Sequence, residues 1–533
     1  MQLTRKQIHE QVYFYTLILI AISLPLSIFT TSMFQIVLAF NWLVEGRMGE
    51  KWKKAMGNRA LQVFLLLYLM HLVGMLWSHD LAYGLKDMKI KLPLLVLPLI
   101  MATSVPLVKA QLHRILLFFT MGVFVASMAS VFKLVGWLPG EVHDYRDLSI
   151  FMSHIRFSLM IVLDLLIAVY FLFVLRNTIS KAERILYLGI LFWFPILLAL
   201  LKSLSGIVIA GLLGFFLLFR LTFEIRDRAI RFMVLVPVIM IPVFSIIYLG
   251  NAVNKFYSFD ELDVSELDSL TLLGNPYTNV PESRAVENGH YIWIHVCEAE
   301  LEEHWNERSE LDYRGRTTNG NSLRMTLIRF LSSKGLRKDA AGIRQLSEEE
   351  IRAIEGGTAN YIYLERFRLY PRIYEVIWEI DCYRSGNNPN EKSVVQRYLY
   401  LDAGWKIAQK NLLYGVGNGD VRNAFKQYYE SIKSPLREKW RRRAHNQFLT
   451  FLISFGIPGL LICVVALIAP SFLAGKRHSF LATGFLILIL LSMLNEDTLE
   501  TACGAVFVAY FYALFLFGPD FPWLRDKSSK EDG

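Results

Sequence analysis

Between Arg441 and Leu461 the chain reads RRRAHNQFLTFLISFGIPGLL. Arg441, Arg442, Arg443 and His445 close a long polar region, and an apolar run of transmembrane length begins at once. Asn446 is a good N-cap. A helix starting there would leave its first backbone N–H groups, and the positive end of its dipole, beside four basic side chains. At a membrane surface that combination suits a phosphorylated lipid headgroup. His445 adds one titratable imidazole able to take a proton. The same arginines can instead anchor the helix at the headgroups. A second pair, His154 and Arg156, sits at the outer end of another apolar run, where ionisable residues are functional candidates by default. For His154 an ordinary interfacial role is an equal alternative. Asn495 to Glu500 (NEDTLE) joins the last two apolar runs. Its carboxylates are placed to orient an arginine or to cap a helix. Glu500 reads as structural, and Glu496 and Asp497 stay open.

The string Arg443-Ala444-His445-Asn446-Gln447-Phe448-Leu449 resembles the signature of the O-antigen ligase and polymerase family of bacterial membrane glycosyltransferases. In that family a His-Asn pair ends a large periplasmic loop, just before a membrane helix with a glycine-containing middle, here Gly456-Ile457-Pro458-Gly459. Upstream, Ser393 to Phe425 is similar to the family's arginine, helix and Gly-x-Gly pattern, with Arg397, Gly415, Gly417 and Gly419 at the matching positions. The resemblance implies that Arg397 and His445 act together on a lipid-linked diphosphate donor. Arg suits this, because it gives paired hydrogen bonds to phosphate and keeps its charge. The glycines would let backbone amides approach a ligand or form a tight turn. Many relatives have Ser-Arg-Gly where this chain has Leu201 to Gly206 (LKSLSG). Leu204 stands at the arginine position, and Lys202 is the nearest cation.

The absent motifs narrow the chemistry. There is no Asp-x-Asp pair of the metal–sugar-nucleotide kind, no Walker loop and no HExxH. A donor already activated as a diphosphate needs no ATP, and arginines can stabilise the departing charge without a metal. Neither a metal nor another cofactor is expected. The four cysteines form no CxxC pair, and a disulfide between Cys297 and Cys382 is left open.

These residues must be positioned by membrane helices. The chain of 533 residues is 54% hydrophobic, and its apolar residues fall in long runs. Its mean hydropathy is +0.37. The net charge of +9 lies largely in short loops, where it sets topology rather than signalling nucleic acid. No cleavable leader is expected. Val12 to Val44, broken by Pro25, reads as two helices joined by a turn. Further spans fall near 60–77, 89–104, 112–137, 155–176, 183–201, 204–221, 230–250, 446–472, 479–495 and 499–518. Basic loops then fall on one side, except Ser78 to Lys91: either the span count is off by one, or its Lys86, Lys89 and Lys91 meet something anionic or lie on the membrane surface.

The expected fold class is an all-α polytopic membrane protein of about 12 transmembrane helices, GT-C-like, with one large, mostly helical periplasmic loop domain. Residues 1–250 form a membrane bundle of about nine helices, 251–445 the loop domain, 446–518 about three more helices, and 519–533 a cytoplasmic tail. The expected activity is transfer of a glycan from polyprenyl diphosphate to lipid A-core in the bacterial inner membrane, facing the periplasm. His445 and Arg397 would be catalytic. Arg441, Arg442, Arg443, Arg156 and Lys202 would hold the diphosphate, and Asn446, Gly417, Gly419 and His154 would support them. Membrane lipids are partners and nucleic acid is not. A polymerase or a protein-directed transferase using the same donor remains an alternative, and a lipid-linked glycan transporter is a third class.

Overall fold

A computed structural model describes residues 4–140, 145–259, 263–283, 285–365 and 368–520. The charged tail expected at 519–533 therefore lies almost wholly outside the described residues. The chain divides into two compact units, one of Met1–Leu235 with Gln396–Gly533 and one of Val236–Val395.

The first unit opens with α1 (Arg5–Ser23), α2 (Ile28–Glu45), the amphipathic α3 (Met48–Gly57) and α4 (Arg59–Gly74). The expected split of Val12–Val44 is present: α1 ends beside Pro25, and Ser27 caps α2 by accepting from the Thr30 N–H. There follow α5 (Leu81–Lys91), α6 (Pro93–Thr103), α7 (Lys109–Leu134), α8 (His154–Val169), α9 (Lys181–Leu200), α10 (Leu204–Thr222) and α11 (Arg228–Tyr257), which runs on into the second unit. The span expected at 89–104 is broken. Pro93 has no N–H to continue α5 and instead sits in the first turn of α6.

The second unit holds α12 (Glu298–Arg308), α13 (Leu323–Ser333), α14 (Ala340–Arg344), α15 (Glu348–Glu355) and α16 (Tyr370–Arg384). A short hairpin pairs β1 (Val286–Glu287) with β2 (His290–Tyr291). Its core is built on Leu301, Trp305, Leu327, Phe330 and Ile354. Ser347 and Glu350 cap α15 reciprocally, as their spacing predicts. Cys297 and Cys382 are both free thiols.

The chain then returns through α17 (Ser393–Lys410), α18 (Val421–Ser431), α19 (Gln447–Leu473), α20 (Phe480–Asn495) and α21 (Ala502–Phe517). Among the described residues eight helices are long and apolar enough to cross a membrane. Burial sorts the apolar helices. α21 is buried from Cys503 to Leu516, whereas only Val238 and Ala252 are buried in α11. An all-round apolar helix left bare is stable only if lipid covers it, so this is a multi-pass membrane protein.

α19 lies along α4 and is not one straight rod. Gly456 has φ +67° and ψ −169°, which breaks the helix there. The carbonyls of Ile453 and Ser454 instead accept from the Val416 and Gly417 N–H groups at 2.8 and 3.0 Å, and the Ile457 N–H donates to the Leu412 carbonyl at 2.7 Å. Pro458 has no N–H to leave stranded. The segment 412–417 thus pairs these three backbone groups at the break, as a membrane interior demands.

Candidate active site

Five pieces of the first unit converge: the first turn of α17, the start of α19, the α20–α21 turn, the first turn of α8 and the α9–α10 turn. At their meeting point stands Glu496, at the C-cap of α20, with its side chain 7% exposed. One carboxylate oxygen accepts from Arg397 Nη2 at 3.1 Å, and the other faces His445 Nδ1 at 3.4 Å. Arg397 also donates from Nη1 to the Asn495 side-chain oxygen at 2.6 Å. Asn495 in turn donates to the Ser205 hydroxyl at 2.5 Å, which ties in the Leu201 to Gly206 turn. Arg397 keeps 40% of its side chain exposed. Its recorded bonds use one N–H on each terminal nitrogen, out of five in the guanidinium.

Burial alone would raise the Glu496 pKa. The hydrogen bond and charge of His445, with Arg156 and Arg397, outweigh it and hold the carboxyl below the usual carboxylate range. His445 adopts φ +50°, a left-handed conformation that a non-glycine residue holds only where its surroundings enforce it. Those surroundings are the helix cap and a neighbouring ring. Asn446 caps α19 as expected, accepting from the Leu449 N–H at 2.9 Å, and its amide donates to the Leu494 carbonyl at 2.9 Å. The Tyr400 ring lies 5.6 Å from the imidazole.

Arg156 reaches the same turn from α8. It donates to the Thr501 hydroxyl at 3.2 Å and to the Asp497 carbonyl at 3.1 Å. The residue is 8% exposed, and its Nη1 has no hydrogen-bond partner among the described residues. His154 opens the same helix and is half-buried.

The three consecutive arginines separate. Arg443 donates to Glu500 at 3.0 Å, and Glu500 also accepts from Lys91 at 3.0 Å, which is itself paired with Asp87 at 2.6 Å. Burial opposes the charge on Arg443, but Glu500 and Asp497 more than offset this and raise its pKa. Gln447 completes the knot by donating to Glu500 at 3.1 Å and accepting from the Leu499 N–H at 2.8 Å. Arg443 is thus part of an ion network with Glu500 and Lys91, and its Nε is left without a partner among the described residues. Arg441 donates to the Leu436 carbonyl at 2.9 Å, while Arg442 lies over the Trp440 ring at 6.0 Å and is exposed. Neither makes a recorded bond to Glu496. Lys202 is exposed, with φ +46°, in the turn that Ser205 joins to Asn495.

Of the two roles open to the glycines, the amides of Gly417 and Gly419 take the structural one. The Gly417 N–H goes to the Ser454 carbonyl, and the Gly419 N–H to the Ser78 hydroxyl at 2.9 Å. Their amides close the fold instead of facing a ligand. A Cβ on Gly419 would stand 2.2 Å from the Asp80 carbonyl oxygen, so glycine is required there for close packing.

Sequence reasoning left Glu496 open and overlooked Asn495, Ser205 and Asp87. The signal for Glu496 was present: an acidic residue between two apolar runs, on the same side as the basic candidates. For Lys91, the anionic partner is Glu500.

The first unit of this multi-pass helical membrane protein gathers arginine, histidine and glutamate at its helix ends. Residues 358–464 match the family described as O-Antigen ligase, and over that stretch the chain carries a domain of this family. The match spans Arg397, His445 and the Gly456 break. It supports an enzyme of the O-antigen ligase or polymerase type. No curated protein matches the chain.

Proposed function

We propose that the protein transfers a glycan from a polyprenyl diphosphate carrier to a sugar hydroxyl of lipid A-core, with inversion and without a metal. It would do so at the periplasmic face of the bacterial inner membrane. The observation that carries the reading is the single carboxylate of Glu496 held between Arg397 and His445.

Glu496 accepts from Nδ1–H and so favours the imidazole tautomer whose Nε2 has a lone pair. Nε2 takes the proton of the acceptor hydroxyl as its oxygen attacks the anomeric carbon. The bond between that carbon and the phosphate oxygen breaks, and polyprenyl diphosphate departs. The remaining N–H donors of Arg397 and the idle Nη1 of Arg156 receive its developing charge. The 3.4 Å contact is long for a hydrogen bond, as ligand-free catalytic contacts often are. Lys202, on a turn tied to Asn495, is a further cation for the donor. The membrane frame for this reading is twelve spans: the eight long helices with α1, α6, α20 and α21. Both chain ends would then be cytoplasmic and the polar region 251–445 outside.

His445→Ala, expressed in a null strain, tests the proposal. Long-chain lipopolysaccharide should vanish while glycan accumulates on the carrier lipid. Single repeats on core would instead indicate a polymerase. Normal lipopolysaccharide from well-expressed variant protein would overturn the role of His445.

A further inference from the structure

The second unit contains a cavity of about 710 Å³. That size lies within the roughly 300–1,000 Å³ typical of small-ligand sites. Its walls mix rings with hydrogen-bonding side chains: Phe256, Tyr257, Tyr291 and Trp378 beside Asn288, Asp381 and Asn387. Among the described residues no Lys, Arg or His lines it, so it is not built for phosphate. Nor is it an acyl-chain slot, because an apolar chain would strand the carboxylate and the amides without partners. Ring faces beside a carboxylate and side-chain amides fit one ligand class well. A sugar offers apolar C–H faces to rings and hydroxyls to polar groups. Tyr257 is 46% exposed and donates to one oxygen of Asp381 at 3.3 Å, leaving the other oxygen to accept from a ligand hydroxyl. Trp378 already has the Lys392 ammonium 4.9 Å over its ring, which leaves the tyrosines as the stacking faces.

We infer that this cavity is a second glycan-binding site that holds uncharged sugar residues of donor or acceptor. The inference rests on the proposed function for the identity of the glycan, though not for the chemistry of the walls.

Cys382 lines the cavity and is the one cysteine of four that is not buried. Its labelling by a soluble maleimide therefore reports occupancy. The full-length protein in detergent is titrated separately with repeat-unit oligosaccharide and with core oligosaccharide, both from the source organism's lipopolysaccharide. One of them should slow labelling several-fold, which identifies the site as donor- or acceptor-directed. Tyr257→Ala and Asp381→Asn should each weaken that protection by about ten-fold, the loss expected on removing one anchoring contact. Tyr257 is exposed and Asp381→Asn is isosteric, so both variants should fold, and a thermal melt checks this. Protection by neither sugar, protection unchanged in both variants, or protection by phospholipid alone would each overturn the inference. His445→Ala should leave protection intact. If that variant also keeps transfer activity, the proposed function fails while the glycan site stands.

Discussion

At the residue scale, identical side chains have opposite jobs. Arg397 and Arg443 each donate to a glutamate of the α20–α21 turn, but Arg397 is the more open of the two, and Arg443 is locked among Glu500, Lys91 and Asp87. Arg397→Ala should therefore abolish transfer while leaving the melting temperature in detergent nearly unchanged. Arg443→Ala should instead destabilise the fold by about 3–5 kcal/mol, the typical cost of breaking a buried ion pair, and this would read as lost yield and a lower Tm. Glu496→Gln keeps the shape and removes the charge. Because Glu496 contacts both groups proposed as catalytic, the change should reduce kcat by about ten- to a hundred-fold, with the protein still folded. Its depressed pKa sets a sign for stability. The contribution of the ionised carboxylate is complete above the ordinary value of about 4.3 and is lost as pH falls through the lower folded-state value. The Tm gap between wild type and Glu496→Gln should therefore narrow on acidification below about pH 5. A gap that widens would contradict the assigned contacts.

At the element scale, the break in α19 is the structural device behind the site. Only glycine is comfortable at the backbone angles of Gly456, and a Cβ there would stand 2.5 Å from the Leu413 carbonyl. Gly456→Ala should thus cost at least about 1–3 kcal/mol. The segment 412–417 is bonded to the same break and follows α17, the helix that carries Arg397. The damage should therefore extend to activity in whatever protein survives, measured as transfer per folded molecule. An alanine variant as stable as the parent would show that the break is not needed. α5 makes the related point that Lys86 and Lys89 are exposed while Lys91 is buried on Glu500, so one basic helix serves two environments.

At the scale of the whole molecule, the functional reading requires the polar region and the Lys476-Arg477 turn to lie on opposite sides of the membrane. Asn388 and Arg477 are both exposed and suit a labelling test. In a Cys382→Ser background, Asn388→Cys should react with an impermeant thiol reagent in intact spheroplasts. Arg477→Cys should react only after permeabilisation. Reversal of that pattern would turn His445 away from any periplasmic substrate.

Much was legible from residues near one another in the chain. Apolar runs marked the helices, Asn446 marked the start of α19, and Ser347 with Glu350 marked the start of α15, because caps and periodicity depend on neighbours within a turn or two. The approximate place of the proposed chemistry was also legible, since basic residues abutting a membrane helix are conspicuous in one dimension. The role of each base was not. Arg397 meets Glu496 across 99 positions, His445 meets it across 51, and Lys91 meets Glu500 across 409. The amides of Gly417 and Gly419 likewise found partners on α19 and beside α4 that no local pattern announces. Whether a guanidinium holds the framework or awaits a phosphate depends on which carboxylate lies within a few ångströms and how much water remains. Helix packing, not spacing along the chain, decides both.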